Sequence, residues 1–414
     1  MPIAEKTPKG MRLHVGLFGR RNVGKSSLLN GLTRQQVSIV SDCPGTTTDP
    51  VEKPMELLPL GPVLFIDTAG IDDEGALGQL RIAQTRAALE RTDLGVVVAA
   101  AGQWGSFEEQ LCAELRARGA AIVVAFNKVD LAGPSDALRA RLQAQALPIV
   151  STDGRSGLGL DELRAALLAA APAELRETPT LLADLVGPGE LAVLVVPVDK
   201  EAPKGRLILP QAQAVRELLD HDAYSLVVQQ HQLGAALARL RVPPKLVVTD
   251  SQAFREVAAI VPPEIPLTGF SILMARLRGD LTVQTRGALA IDHLRPGDRA
   301  LVAEACTHHP IGEDIGRVKI PRWLAERVGG PLELETVQGH DFPADLSRYR
   351  LILMCGACML GRREVRARLA RAEQAGIPIT NYGLAIAHCF GILERALAPF
   401  PEARAVLGAA SRAA

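Results

Sequence analysis

The stretch Gly19-Arg-Arg-Asn-Val-Gly24-Lys25-Ser26 has the form G-x-x-x-x-G-K-S, and its setting decides how the rest of the chain is read. It follows the apolar run Leu13–Phe18 and opens onto Ser27-Leu28-Leu29-Asn30, so a strand, a tight loop and a helix are expected in that order. The glycines let successive backbone N–H groups turn inward around phosphate oxygens, and a helix N-terminus adds a favourable dipole. Lys25 would reach the β and γ phosphates, and the Ser26 hydroxyl would ligate magnesium. Gly19, Asn22, Val23, Gly24 and Ser27 would complete the phosphate cradle. Further apolar runs at Val63–Asp67, Gly95–Ala99, Ile122–Asn127 and Pro148–Ser151 alternate with helical stretches such as Ser26–Leu32 and Phe107–Arg118. That alternation predicts a doubly wound α/β sheet whose ligand sites lie beyond the carboxyl ends of its strands.

Asp67-Thr-Ala-Gly70 follows one of these runs; Asp67 would hold magnesium through water and the Gly70 N–H would meet the γ-phosphate. Asn127-Lys128-Val-Asp130 ends another, where Asp130 can pair with the N1–H and exocyclic amine of guanine, an edge that adenine lacks. Ser151-Thr152-Asp153 sits where a backbone amide could meet the guanine oxygen. In Pro44-Gly-Thr-Thr-Thr-Asp49, Thr47 is expected to cap the magnesium. These motifs in this order predict a GTPase, with Lys25, Thr47, Asp67 and Gly70 as its catalytic set. Ile71 stands where many GTPases place a water-orienting glutamine, so unaided hydrolysis should be slow. The G-T-T-x-D spacing resembles GTPases of the tRNA-modification (MnmE/TrmE) and Era type. In that group an asparagine of the phosphate loop helps to bind potassium; Asn22 matches it, so the resemblance implies potassium dependence.

The chain has 414 residues, room for two or three domains, and 46 basic residues balance 46 acidic ones. Zero net charge argues against a protein that coats nucleic acid. No apolar run approaches the ~18–20 residues of a membrane span, and Met1–Gly10 lacks the apolar core of a secretory signal. Six cysteines are too few for a disulfide scaffold, and a reducing cytoplasm is the expected location. After Ala171–Thr180, strands are expected at Leu191–Val198, Ser225–Val228 and Lys245–Thr249, with helices at Gln211–Leu219 and Gln252–Ile260 and no chemical motif. From Leu267, strands are expected at Arg299–Ala303, Arg350–Leu353 and Pro378–Thr380, with a helix at Arg363–Ala375.

Cys306-Thr-His308 and Cys355-Gly-Ala-Cys358 both leave the ends of expected strands, which favours a shared metal site. Gly356 is expected to permit the tight turn between the paired thiols. Three thiolates and an imidazole suit tetrahedral zinc; three cysteines with an open or different fourth position suit a 4Fe–4S cluster equally well. His308, His309 and His388 are the possible additional ligands, while Cys112 and Cys389 read as packed helix residues.

Taken together, the nucleotide motifs, the motif-free middle and the C-x-H…C-x-x-C pattern resemble the HydF family of FeFe-hydrogenase maturation GTPases. The likeness includes His309-Pro-Ile-Gly-Glu-Asp-Ile-Gly316 and Ile379-Thr-Asn-Tyr-Gly-Leu-Ala-Ile386. It implies a three-domain α/β chain: a P-loop GTPase domain (1–175), a dimerisation domain (176–266) that makes a homodimer, and an iron–sulfur domain (267–414). It further implies a 4Fe–4S cluster on Cys306, Cys355 and Cys358, a two-iron precursor as cargo, and FeFe-hydrogenase and two radical-SAM maturases as partners. One departure is Met354, where the family often has a histidine; a thioether is a weak ligand, so that position supplies no imidazole. Arg362, Arg363, Arg366, Arg368 and Arg371 form either a solvated helix face or a surface for an anionic precursor. The competing expectation is an RNA- or ribosome-associated GTPase of the TrmE/Era type with a structural zinc module; no RNA-binding motif follows residue 180.

Overall fold

The computed structural model describes residues 9–33, 51–57, 61–68, 85–100, 102–171, 180–198, 207–305 and 314–413. The chain divides into two units, Met1–Thr178 and Pro179–Ala414. In the first, six strands, β1 (Leu13–Phe18), β2 (Val51–Leu57), β3 (Gly61–Asp67), β4 (Leu94–Ala100), β5 (Ala121–Asn127) and β6 (Ile149–Ser151), lie in the order β2-β3-β1-β4-β5-β6. All neighbours are parallel except β2 and β3. All of β1 is buried, as a strand covered on both faces requires.

Alternate residues serve two cores. Val15, Val96, Val98, Val123 and Ala125 pack with Leu28, Leu32, Leu163 and Leu167 from the helices Lys25–Thr33 and Leu160–Ala170. Phe18, Val97, Ala99, Val124 and Phe126 face Leu111 and Leu115 of the helix Ser106–Ala117. β1 runs between β3 and β4, so the sheet's switch point lies at its carboxyl end, where the G-x-x-x-x-G-K-S loop begins. The expected strands of this unit are present. β2 was not anticipated, because Glu52, Lys53, Pro54 and Glu56 make it polar, a composition that suits a protected edge.

The second unit holds two fully parallel four-stranded sheets. One contains β7 (Leu191–Val195), β8 (Tyr224–Val228), β9 (Leu246–Thr249) and β10 (Leu267–Gly269) in the order β10-β9-β7-β8. The other contains β11 (Arg299–Glu304), β12 (Glu333–Gln338), β13 (Leu351–Met354) and β14 (Ile379–Asn381) in the order β12-β11-β13-β14. β10, which was not expected as a strand, begins at the residue where a third domain was expected to start. Val193, Leu194 and Phe254 share one core with Ile272 and Leu273 and with Leu384, Leu397 and Phe400 from the C-terminal helices. Among the described residues, no helix is long and apolar enough to cross a membrane.

The arginine-rich helix runs from Arg362 to Gln374, and Arg368 and Arg371 are committed to packing. Arg368 is buried, bonds Glu364 at 2.8 Å and donates to the Gly339 carbonyl. Arg371 lies over the Phe342 ring and donates to the Pro343 carbonyl. Burial alone would raise the Glu364 pKa; the hydrogen bond from His340 and the charges of His340 and Arg368 bring it below the usual carboxylate range. A carboxylate with a lowered folded pKa contributes fully above its unfolded value of about 4.3, and this contribution fades as pH falls through the folded value. Replacing Glu364 with alanine strands the Arg368 cation and is expected to destabilise the second unit by about 3–5 kcal/mol, measured by denaturant unfolding.

Candidate functional site

The phosphate loop has the backbone that its glycines were expected to supply. Gly19 has φ 154°, and a Cβ there would lie 2.2 Å from the Val98 carbonyl oxygen. Gly24 has φ 94°, and a Cβ would lie 2.1 Å from Asn127 Nδ2. Asn22 is exposed in the left-handed region at φ 59°, a conformation that asparagine tolerates better than most residues. The buried Lys25 ammonium donates to the carbonyls of Gly19 at 3.0 Å and Arg20 at 2.9 Å, which holds it inside the loop. Ser26 Oγ donates to Asp67 Oδ2 at 2.7 Å. The two expected magnesium ligands are therefore adjacent, and a hydroxyl with a carboxylate is the hard oxygen pair that magnesium takes.

Asn127 occupies the centre of the site. Its Nδ2 donates to the Val23 carbonyl at 2.8 Å, and its Oδ1 accepts from Gly154 N at 3.0 Å and Thr152 Oγ1 at 3.3 Å. One buried amide thus joins the phosphate loop, the end of β5 and the loop after β6. Lys128 beside it has φ 60°, and Asp130 is exposed. Asn127→Ala removes three hydrogen bonds and leaves buried backbone groups unpaired. It is expected to cost about 2–4 kcal/mol of stability in the first unit and to weaken GTP binding at least about tenfold, read by calorimetry.

The loop after β6 is arranged differently from the sequence expectation. Thr152 N donates to the Phe126 carbonyl at 2.7 Å and Asp153 N to the Leu158 carbonyl at 2.9 Å, so both amides are engaged within the protein. Ser151 Oγ accepts from Arg139 at 2.8 Å. Asp153 folds back onto the Arg155 and Ser156 amides, and the Ser156 hydrogen bonds with the Arg155 amide lower its pKa. Sequence reading also missed a brace on the phosphate loop. Arg20 bonds the buried Glu108 through two nitrogens, at 2.7 and 3.3 Å, and its guanidinium lies 4.9 Å from the Phe107 ring centre. A separation of 88 residues along the chain hides that pair from any local pattern. Thr47 and Gly70 lie outside the described residues.

In the second unit, β11 lies between β12 and β13, so the C-terminal sheet switches direction between β11 and β13. Cys355 follows β13 there, and its Sγ accepts from Ala305 N at 3.0 Å and Ala357 N at 3.4 Å. Burial pushes the thiol pKa up, and the two amides oppose that shift. The turn to Cys358 does not use Gly356: the left-handed residue is Ala357, at φ 50°, while a Cβ on Gly356 would meet open space. Cys306, His308 and His309 lie outside the described residues. Among the described residues, no group of three metal-type ligands converges.

The described surroundings of Cys355 include groups the sequence did not announce. Glu304 ends β11 with a buried carboxylate that accepts from Tyr382 OH at 3.3 Å, Arg317 at 3.4 Å and Gln338 at 3.5 Å. Tyr382 is half-buried, and loss of solvation, with the charges of Cys355 and Glu304, pushes its phenol pKa far up. Arg278 donates to the Ala357 carbonyl at 3.2 Å and to the Leu360 carbonyl. Burial lowers its pKa to about 10, partly offset by Cys358, so it remains a cation at neutral pH. His388 pairs instead with Asp292 at 3.0 Å, and burial pushes the Cys389 thiol up to about 11. Cys112 is buried in its helix, as expected.

A phosphate-binding loop at the switch point of a six-stranded sheet, joined to a second unit with thiols at the switch point of its own sheet, defines a GTPase with an appended thiol-bearing α/β module. Residues 14–128 match the 50S ribosome-binding GTPase family, residues 181–279 the hydrogen maturase F dimerization domain, and residues 282–399 the hydrogen maturase F tetramerization domain. The chain belongs to the HydF family of hydrogenase maturation GTPases.

Similarity to curated proteins runs through the GTPase part. The tRNA modification GTPase MnmE of Heliobacterium modesticaldum is 39% identical over 150 residues, 36% of this chain and 32% of that protein. MnmE of Bordetella petrii is 41% identical over 161 residues, 38% of this chain and 34% of that protein. The chain thus spans about a third of the length of these relatives. Aquifex aeolicus Era bound to GDP·AlF4− is 22% identical, with a TM-score of 0.35 over 60% of this chain and 97% of that one.

Proposed function

We propose that this GTPase is a scaffold and carrier that assembles the two-iron subcluster precursor and transfers it to FeFe-hydrogenase. The observation that carries the reading is the Cys355-x-x-Cys358 turn at a sheet's switch point, with the Cys355 sulfur accepting two backbone amides. Sulfur that accepts N–H bonds in a buried setting fits a thiolate ligand of an iron–sulfur cluster. Cys306, Cys355 and Cys358 would hold a 4Fe–4S cluster, with His308 or an exchangeable group at the fourth iron. The cluster would supply an iron to which the precursor attaches. The protein's own residues would fix the thiols, with the Ala305 and Ala357 amides orienting the Cys355 sulfur.

In the first unit, Lys25 would neutralise charge on the β and γ phosphates while Ser26, Thr47 and Asp67 hold magnesium and the Gly70 amide meets the γ-phosphate. Asp130 would select guanine. A potassium ion at Asn22 would supply the charge stabilisation that Ile71 cannot, so replacing potassium with sodium is expected to slow turnover at least about tenfold. The nucleotide and thiol sites belong to different units, so GTP would bias partner exchange and take no part in the metal chemistry. The domains proposed for these roles are 1–175, 176–266 and 267–414. A homodimer would use the β8 edge, where Tyr224 and Val227 are exposed and Leu219 is exposed close by in sequence.

The test is purification without oxygen, metal and sulfide counts per chain, and transfer of a synthetic two-iron precursor to apo-hydrogenase. About four irons with hydrogenase activation is the expected result. One zinc per chain and no activation would replace this reading with the structural zinc module.

A further inference from the structure

Arg278 is the last residue of the helix Phe270–Arg278, which starts directly after β10. It lies in the part of the chain that matches the dimerization domain, whereas the cysteines lie in the part that matches the tetramerization domain. Its side chain crosses that division. Arg278 is 4% exposed, and its guanidinium donates to the carbonyls of Ala357 and Leu360, on either side of Cys358 in sequence. Among the described residues no carboxylate pairs with it, and its Nε has no hydrogen-bond partner.

A buried cation without a carboxylate partner is costly, and side chains of this kind are normally paired or exposed. An ordinary helix-end arginine would reach water or its own last carbonyls. Arg278 instead grips the backbone of another turn, and Ala357 within that turn holds the uncommon left-handed conformation. The helix end is held closely as well: Gln284 donates to the carbonyls of Ala275 and Asp280, and a Cβ on Gly279 would lie 3.1 Å from Leu369. The backbone that carries Arg278 is therefore closely packed.

We propose that Arg278 is a positioning residue for the thiol site: it holds the Cys355–Cys358 turn in its ligating conformation and supplies the positive charge that offsets an anionic, thiolate-bound iron–sulfur group. This rests on the cluster reading above and extends it. It also gives the dimerization-domain sheet, through β10 and the following helix, a rigid connection to the thiols.

The experiment compares the full-length wild type with Arg278→Gln and Arg278→Lys, each reconstituted with iron and sulfide. The readouts are the rate of iron loss to a chelator, the cluster's reduction potential and the melting temperature of the metal-free protein. Glutamine removes the charge, so its cluster is expected to lose iron about 10–100-fold faster and to show a more negative potential. Lysine keeps the charge but cannot span both carbonyls; a potential near wild type with faster iron loss is expected. Wild-type retention and potential in Arg278→Gln, or an equal potential shift in both variants, would overturn the proposal while leaving the cluster reading intact. A wild type that takes up no iron would sink both. Should the glutamine variant not fold, Arg278→Lys decides alone, because iron loss at the wild-type rate there removes the clamp.

Discussion

Lys25→Ala is expected to lower GTP turnover by about 100–1,000-fold, the range found when a preorganised charge or donor aimed at a transition state is removed. The ammonium is already held within the phosphate loop by the carbonyls of Gly19 and Arg20, so little reorganisation is needed when phosphate arrives. Alanine leaves the glycine-shaped backbone and the Asn127 clamp in place, since neither depends on the lysine side chain. The expected signature is a collapse of turnover with an unchanged unfolding curve of the first unit. Metal content of the second unit should also stay unchanged. Turnover within about threefold of wild type would exclude the assigned role for Lys25.

Cys355→Ser should have an equally large effect on the other site. Serine keeps the size of the side chain and can still accept from Ala305 and Ala357, so the fold of β13 and its turn should survive. What is lost is a soft sulfur ligand, and a hydroxyl does not replace thiolate in holding iron. Iron per chain is expected to fall from about four to well below one, the absorbance near ~400 nm to disappear, and precursor transfer to stop. GTP turnover should remain at the wild-type rate because the nucleotide site belongs to the first unit. Full iron retention in this variant would remove Cys355 from the ligand set. A colourless wild type containing zinc would remove the cluster altogether.

These two variants probe features that were legible in the sequence to different depths. The phosphate loop is contiguous, so its glycines, Lys25 and Ser26 could be read as a unit, and the structure gives Gly19 and Gly24 backbones that a side chain would obstruct. The parallel strands of the first unit were equally readable because both of their faces are covered, which leaves unbroken apolar runs such as Val96–Val98. β2 and β12 escaped because edge strands carry charge and alternate polarity; β10, Leu267-Thr-Gly269, was not singled out either. The C-x-x-C pair was visible, but the reason for its turn was assigned to the wrong residue. A glycine invites that role, yet packing placed the left-handed conformation on Ala357.

What the sequence determined alone is everything encoded over short spans: the nucleotide motifs, their order, the strand–helix alternation and the candidate thiols. Tertiary structure decided which distant groups meet. It placed Asn127 104 residues from the Val23 carbonyl that it binds, paired Arg20 with Glu108, set Ala305 N on the Cys355 sulfur and brought Arg278 to the Leu360 carbonyl. The physical reason is that hydrogen bonds and burial act between atoms in contact, whatever their separation along the chain. A local pattern reports which backbone a segment adopts; only the packed core fixes which buried polar groups must satisfy one another.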